Sequence, residues 1–311
     1  MKESLCRMAE ERYGIKTDPD DIEKLINHFK TPSESASNYD GLYIDNKPLE
    51  RIFASGEAAS FLTVNETYFF REPIHFSLLL DLLPSFNQSS IRICSAATSS
   101  GCEAYSIAML LDMYNRNAEK PLFYQIDAFD INPNMIETAG AGIYNQRSLR
   151  DDGSCFSYIT DLFLNKNDNK IHVKQELKDN INFFVHNLLS ELRFDYYDII
   201  FFRNAFIYFL PDYRDRVLTN LSNSLKESGY LIMGISETAG VKHHHLEQKI
   251  KRLIPHQEDV FFFQKNTYQK PAVSGNFALS GSQDVPPACQ SGRNFQAPDY
   301  FTNAHTEKSA G

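Results

Sequence analysis

The sequence predicts an α/β fold built on a mainly parallel sheet. Short apolar runs at 91–94, 124–130, 197–202, 230–235 and 259–263 read as strands, and helix-periodic stretches at 103–114, 133–141 and 211–227 lie between them. Alternation of this kind implies crossover helices and parallel neighbours. The last two runs sit close together, which allows a hairpin at the sheet edge.

Residues 1–60 read as a short N-terminal helical region. In "DPDDIEKLINHFK", Ile22, Leu25, Ile26 and Phe29 recur at helical spacing, with acids first and a lysine last. "TPSESASNYDG" then reads as a loop. The core spans 61–265. Within it, 152–190 breaks the rhythm, because "KIHVKQELKDNINFFVHN" alternates with period two and reads as a small antiparallel excursion. From 266 to 311 the chain is rich in Gly, Ser, Pro, Gln and Asn without hydrophobic period, and a disordered tail is expected.

Composition narrows the function. With 311 residues, 42% hydrophobic and 23% charged, the chain is that of a soluble globular protein. A net charge of −9 argues against a nucleic-acid partner. No run reaches the roughly 18 apolar residues of a membrane span, and "MKESLCRMAEERYG" has no signal-peptide core. Five scattered cysteines fit reduced thiols in a cytoplasm. A monomer is the default expectation.

Four stretches could carry chemistry. The loop 95–101, "SAATSSG", has almost no side-chain bulk. It is either a tight turn closed by a Ser100-x-x-Glu103 capping box or a surface on which a ligand lies against backbone N–H groups. Asp130 ends the second strand; it could bind both hydroxyls of a ribose, or cap the helix begun by Pro133, for which Asn132 is equally well placed. Arg203 and Asn204 end the apolar strand "YDIIFF", where desolvation demands partners. Tyr208 follows in "AFIYF", where an aromatic is commonly core. In "VNETYFFREP", Asn65, Thr67 and Arg71 interleave with Phe69 and Phe70, so Arg71 is either a held carboxylate binder or an ordinary surface arginine. The tract His243-His244-His245 reads as solvated, not as a metal site, since no Cys or acid stands at ligand spacing.

In this order, "NETYFFREP", "RICSAATSSGCEAYSIAMLL", "DAFDINPNMIETAGAGIYNQRSLR", "VHNLL", "FDYYDIIFFRNAFIYF" and "GYLIMGISET" resemble the motifs of the chemoreceptor glutamate methyltransferase family, CheR, over roughly 61–265. The resemblance implies a Rossmann-like methyltransferase sheet and S-adenosyl-L-methionine as cofactor. It implies methyl transfer to a glutamate carboxylate of a protein substrate, a chemoreceptor or related signalling protein. By motif position, Asn65, Thr67, Arg71, Glu103, Asp130, Asn187, Leu188, Arg203 and Asn204 are implied around the cofactor, and Arg71 and Tyr208 toward the substrate carboxylate. The segment 152–190 matches the family's small β-subdomain. Two departures stand out. The family's paired glutamates followed by proline are Cys102-Glu103-Ala104 here, and the region 1–60 is shorter and less basic than the family's helical bundle. An alternative is a methyltransferase-fold scaffold or cofactor-binding module without catalysis.

Overall fold

The computed structural model describes residues 2–29, 43–44, 47–234, 237, 250–252 and 261–265. The loop read at 31–41, the histidine tract 243–245 and the tail 266–311 lie outside the described residues.

Helices α1 (Lys2–Tyr13) and α2 (Pro19–Phe29) open the chain. A two-residue ladder joins β1 (Tyr43–Ile44) to β2 (Lys47–Pro48), and α3 (Leu49–Ala54), α4 (Ala59–Leu62) and α5 (Ile74–Leu82) follow. The core then alternates: β3 (Ser90–Ala96), α6 (Cys102–Asn117), β4 (Phe123–Asp130) and α7 (Pro133–Ala141). An insertion carries β5 (Ile143–Asn145), α8 (Ser157–Phe163), β6 (Leu164–Asn167), β7 (Lys170–Val173) and α9 (Gln175–Lys178). The chain returns through β8 (Ile181–Val185), β9 (Tyr197–Phe202), α10 (Pro211–Ser224), β10 (Leu225–Met233), β11 (Ile250–Arg252) and β12 (Phe261–Lys265).

Seven strands form one sheet in the order β11-β12-β10-β9-β3-β4-β8. The five from β10 to β8 are parallel, and β12 runs antiparallel to both β10 and β11. The chain moves outward from β3 to β4 and β8, then crosses back to β9 and β10. That reversal opens a crevice at the carboxyl ends of β3 and β9, where ligands of such sheets bind.

Period two along the strands divides the interior into two cores. Ile91, Ile93, Ile199 and Phe201 face a core built with α5, α6 and α8. Cys94, Ala96, Ile200 and Phe202 face the other, which α10, α1 and α2 complete through Leu218, Leu221, Leu5, Ile22 and Leu25. All six residues of β9 are buried, so a strand covered on both faces reads as an unbroken apolar run from Ile199 to Phe202, after Asp198, which pairs with Lys226.

Two readings are corrected. The small antiparallel sheet, ordered β5-β7-β6, spans 143–173 instead of 152–190. The segment 181–185 belongs to the main sheet, parallel to β4. As the sheet's edge strand it is only partly covered, with Ile181 buried and Asn182 and Val185 exposed. At the opposite side β12 pairs antiparallel with β10, as the sequence predicts for these two runs, and β11, which the sequence does not reveal, adds the edge strand beyond it.

Candidate functional site

A cleft opens to solvent at the carboxyl ends of β3, β4 and β9. All ten residues singled out in the sequence line it: Asn65, Thr67, Arg71, Glu103, Asp130, Asn187, Leu188, Arg203, Asn204 and Tyr208.

The floor is the loop after β3. Ala97, Ser99 and Gly101 hold φ of 57°, 52° and 86°. A Cβ on Gly101 would stand 2.8 Å from the Cβ of Ala139 and 3.0 Å from the Phe183 ring, so both its conformation and its surroundings require glycine. Gly101, not Ser100, caps α6, and no side chain completes the cap. The expected capping box is therefore absent. Glu103 is turned instead toward Ser95 Oγ (2.8 Å) and Arg203 Nη1 (3.0 Å), which places its carboxylate on the cleft wall. Burial pushes its pKa up, against the opposing pull of Arg203 and Ser95.

Asp130 is buried, and both its oxygens accept backbone N–H groups: Oδ2 from Ser99 (2.8 Å) and Oδ1 from Asn132 (3.0 Å). Asn132 is the cap of α7, accepting from the Asn134 N–H at 3.0 Å. Asp130 is thereby left free of capping, with spare lone pairs at the cleft. Its pKa is pushed up by burial, against three backbone hydrogen bonds that favour the charge.

The segment 65–72 enters through its aromatics. Phe70 stacks on Phe156 (4.6 Å) and Phe69 meets Tyr144 edge-on (5.1 Å). Phe70 and Glu72, flanking Arg71, take positive φ of 54° and 56°. These two unusual conformations turn Phe70 and Glu72 into the interior and leave Arg71 on the cleft. Arg71 Nη1 donates to the Glu66 carbonyl at 2.9 Å, and the guanidinium lies 5.6 Å from the Tyr68 ring centre. The remaining donors of the fork are available to a carboxylate.

Behind this wall, Arg203 is almost wholly enclosed. It bonds Glu103, ion-pairs with Glu72 (3.2 Å) and donates to the Arg71 carbonyl (2.5 Å). Arg203 thus holds the acid wall together, with its Nε left without a partner. Burial alone would raise the pKa of Glu72, but Arg203, the Asn204 amide and His75 outweigh it and hold it low. Asn204 donates to Glu72 Oε1 at 2.9 Å. Tyr208 lies at the mouth, its phenol held above the ordinary value by burial. Asn187 is committed to the Arg12 carbonyl (2.8 Å) and the Leu189 N–H (3.0 Å), leaving it and Leu188 as wall rather than free donors.

Cys102 does not face the cleft. It is fully buried in the core beside Thr67 and Ser100, and burial pushes its thiol up to about 12. The cysteine at this position therefore takes nothing from the cleft lining, where Glu103 stands.

Sequence reasoning missed the contribution of the N-terminal region. Tyr13 and Ile15 line the cleft. Ile15 bridges Phe209, Lys16 N–H donates to the Tyr208 carbonyl (2.8 Å), and Leu210 N–H donates to the Gly14 carbonyl (2.7 Å). Gly14, at φ 66°, allows this approach, since a Cβ would meet Tyr213 at 2.9 Å. Contacts across nearly 200 residues of sequence leave no local signal. His186 also lines the cleft, edge-on to Phe129 at 4.9 Å.

His75, fully buried beside Glu72 (3.5 Å), has its pKa lowered to about 3 by burial first and by Arg203 second. The unfolded chain therefore takes up a proton near 6.5 that the folded chain refuses. This stabilising contribution is complete above that pH and declines as pH falls toward 3, by up to ~1.4 kcal/mol per pH unit. In urea titrations between pH 7 and 4.5, His75→Gln is expected to show a shallower loss of stability than the parent; equal slopes would contradict this.

Residues 65–254 match the family model described as CheR methyltransferase, SAM binding domain. The chemotaxis protein methyltransferase of Vibrio parahaemolyticus serotype O3:K6 is 39% identical over 186 residues, covering 58% of this chain and 67% of that protein. Chemotaxis protein methyltransferase 1 of Vibrio cholerae serotype O1 is 34% identical over 245 residues, covering 75% and 87%. Among solved structures, an S-adenosylmethionine-dependent O-methyltransferase of Thermotoga maritima aligns with a TM-score of 0.39 at 11% identity, over 67% of this chain and 69% of that one.

Proposed function

This chain belongs to the CheR methyltransferase family, and on that premise we propose that it methylates the side-chain carboxylate of a glutamate in a chemotaxis signalling protein, with S-adenosyl-L-methionine as donor. The observation that carries this reading is the meeting of Asp130 and Arg71 in one cleft, with Glu103 and Tyr208 between the same walls.

The donor set fits the cofactor. A loop stripped of side chains leaves the cleft floor open, and beside it a buried carboxylate, held by the Ser99 and Asn132 N–H groups, keeps lone pairs for two ribose hydroxyls. Glu103 offers a carboxylate to the amino end, steadied by Ser95 and Arg203. Asn65, Thr67, Asn187, Leu188 and Asn204 complete the walls. When bound, the cofactor supplies a methyl group activated on a sulfonium.

A glutamate carboxylate, with an ordinary pKa of about 4.3, is ionised at neutral pH and needs no general base. Transfer forms one oxygen–carbon bond and breaks one carbon–sulfur bond, and no proton moves. The protein's task is alignment. Arg71 orients the carboxylate through its free N–H groups, and the Tyr208 phenol, protonated at working pH, donates a further hydrogen bond. The substrate is proposed as a chemoreceptor or related signalling protein in the cytoplasm. Among the described residues no helix is long and apolar enough to cross a membrane.

With methyl-labelled S-adenosylmethionine and a chemoreceptor signalling fragment, label should appear on glutamate and be released as methanol by mild base. Absence of label, or base-stable label, would contradict the proposal.

A further inference from the structure

The segment "GYLIMGISET" places one more acid at the site that no role yet accounts for. Glu237 is fully buried. Its Oε1 accepts two consecutive backbone N–H groups, those of Ala205 (2.9 Å) and Phe206 (3.2 Å). These are the first donors of the single 3-10 turn Phe206–Tyr208, which have no partner within the turn. Its cap, Ala205, immediately follows Asn204, a non-glycine residue at φ 58°. Its other end is Tyr208, whose N–H donates to the Ala205 carbonyl at 3.1 Å.

A second acid supports the same turn. Glu72 holds the Asn204 side chain and ion-pairs with Arg203. Both acids converge on Gly234. A Cβ there would meet Glu237 Oε2 at 2.6 Å and Glu72 Oε2 at 3.4 Å. Glu237 Oε2 has no hydrogen-bond partner, so its orientation rests on the two N–H bonds to Oε1 and on the space that Gly234 leaves.

We propose that Glu237 is a positioning residue for methyl transfer: it holds the strained turn 204–206 in the one conformation that sets Tyr208 opposite Arg71. This rests on the methyltransferase reading above and adds a residue to it. A left-handed residue followed by two orphan amides is an arrangement that relaxes unless something over-determines it. A single carboxylate oxygen shared by both amides does so. Displacement of about 1 Å at the aligned carboxylate is enough to lower rate by roughly 100-fold.

The test compares Glu237→Leu, Glu237→Gln and Gly234→Ala in the full chain. Glu237→Leu keeps bulk but removes the acceptor. It should lower kcat by roughly 30- to 100-fold, shift the Kd for S-adenosylhomocysteine by less than about 3-fold, and speed exchange of the Ala205 and Phe206 amides. Glu237→Gln retains an acceptor oxygen and should restore most of the loss. Gly234→Ala leaves Glu237 in place but crowds its Oε2, and should lower kcat by roughly 3- to 10-fold; it serves if Glu237→Leu does not fold. Full kcat in both Glu237→Leu and Gly234→Ala, unchanged amide exchange, or Glu237→Gln as impaired as Glu237→Leu would overturn the inference. Failure of the wild-type chain to bind S-adenosylhomocysteine or transfer methyl would overturn the functional reading instead, while amide exchange at 205 and 206 still reports on the brace.

Discussion

Arg71→Ala is expected to lower kcat for glutamate methylation by at least about 100-fold, with a melting temperature close to that of the parent. The magnitude follows from removing a preorganised charged donor, which typically raises a barrier by roughly 3–4 kcal/mol. Arg71 is half-buried and its anchors are one hydrogen bond to the Glu66 carbonyl and the face of Tyr68. The flanking conformations at Phe70 and Glu72 are held by their own burial and by Phe70 N–H donating to Ser106 Oγ (2.9 Å), so the segment keeps its path without the guanidinium. Arg71→Lys keeps the charge but loses the fork, and an intermediate rate is expected. Steady-state kinetics with a thermal melt checks both. Unchanged turnover in Arg71→Ala would remove the residue from the mechanism.

Asp130→Asn is expected to weaken S-adenosylhomocysteine by at least about 30-fold and to destabilise the fold by roughly 1–3 kcal/mol. The substitution is isosteric, but both carboxylate oxygens accept N–H groups. An amide can satisfy only one of them. Its NH2 then faces either the Ser99 or the Asn132 N–H, donor against donor, in a buried site. It also removes the charge that would strengthen two ribose hydrogen bonds. Calorimetric titration and chemical denaturation measure the two effects separately. A variant that binds as the parent does would show that Asp130 serves only the loop.

Much of this site was legible because its residues sit in short motifs at strand ends. Asp130 and Arg203-Asn204 follow directly on apolar runs, where polarity is conspicuous. Arg71 stands out between aromatics that are buried for reasons the sequence displays. What the sequence concealed was partnership at a distance. Glu103 carries the pattern of a helix cap, yet the left-handed Gly101 takes that position and Arg203, 100 residues on, claims the carboxylate. Arg203 reads as a ligand-binding cation, and its bonds to two acids and a carbonyl were equally invisible in the sequence. The cleft wall formed by Tyr13 and Ile15 depends on a bridge to Phe209, which no periodicity announces. The edge strand β8 is hidden for a related reason: its partner is β4, some 55 residues back, and its own mixed burial carries no sign of that pairing.

The most direct test is a crystal structure of the full chain with S-adenosylhomocysteine. The account predicts the ribose hydroxyls within hydrogen-bond distance of Asp130 and the amino end toward Glu103. It also predicts the sulfur facing the space between Arg71 and Tyr208. A ligand bound outside this cleft, or seated in it with its sulfur turned away from Arg71, would contradict it.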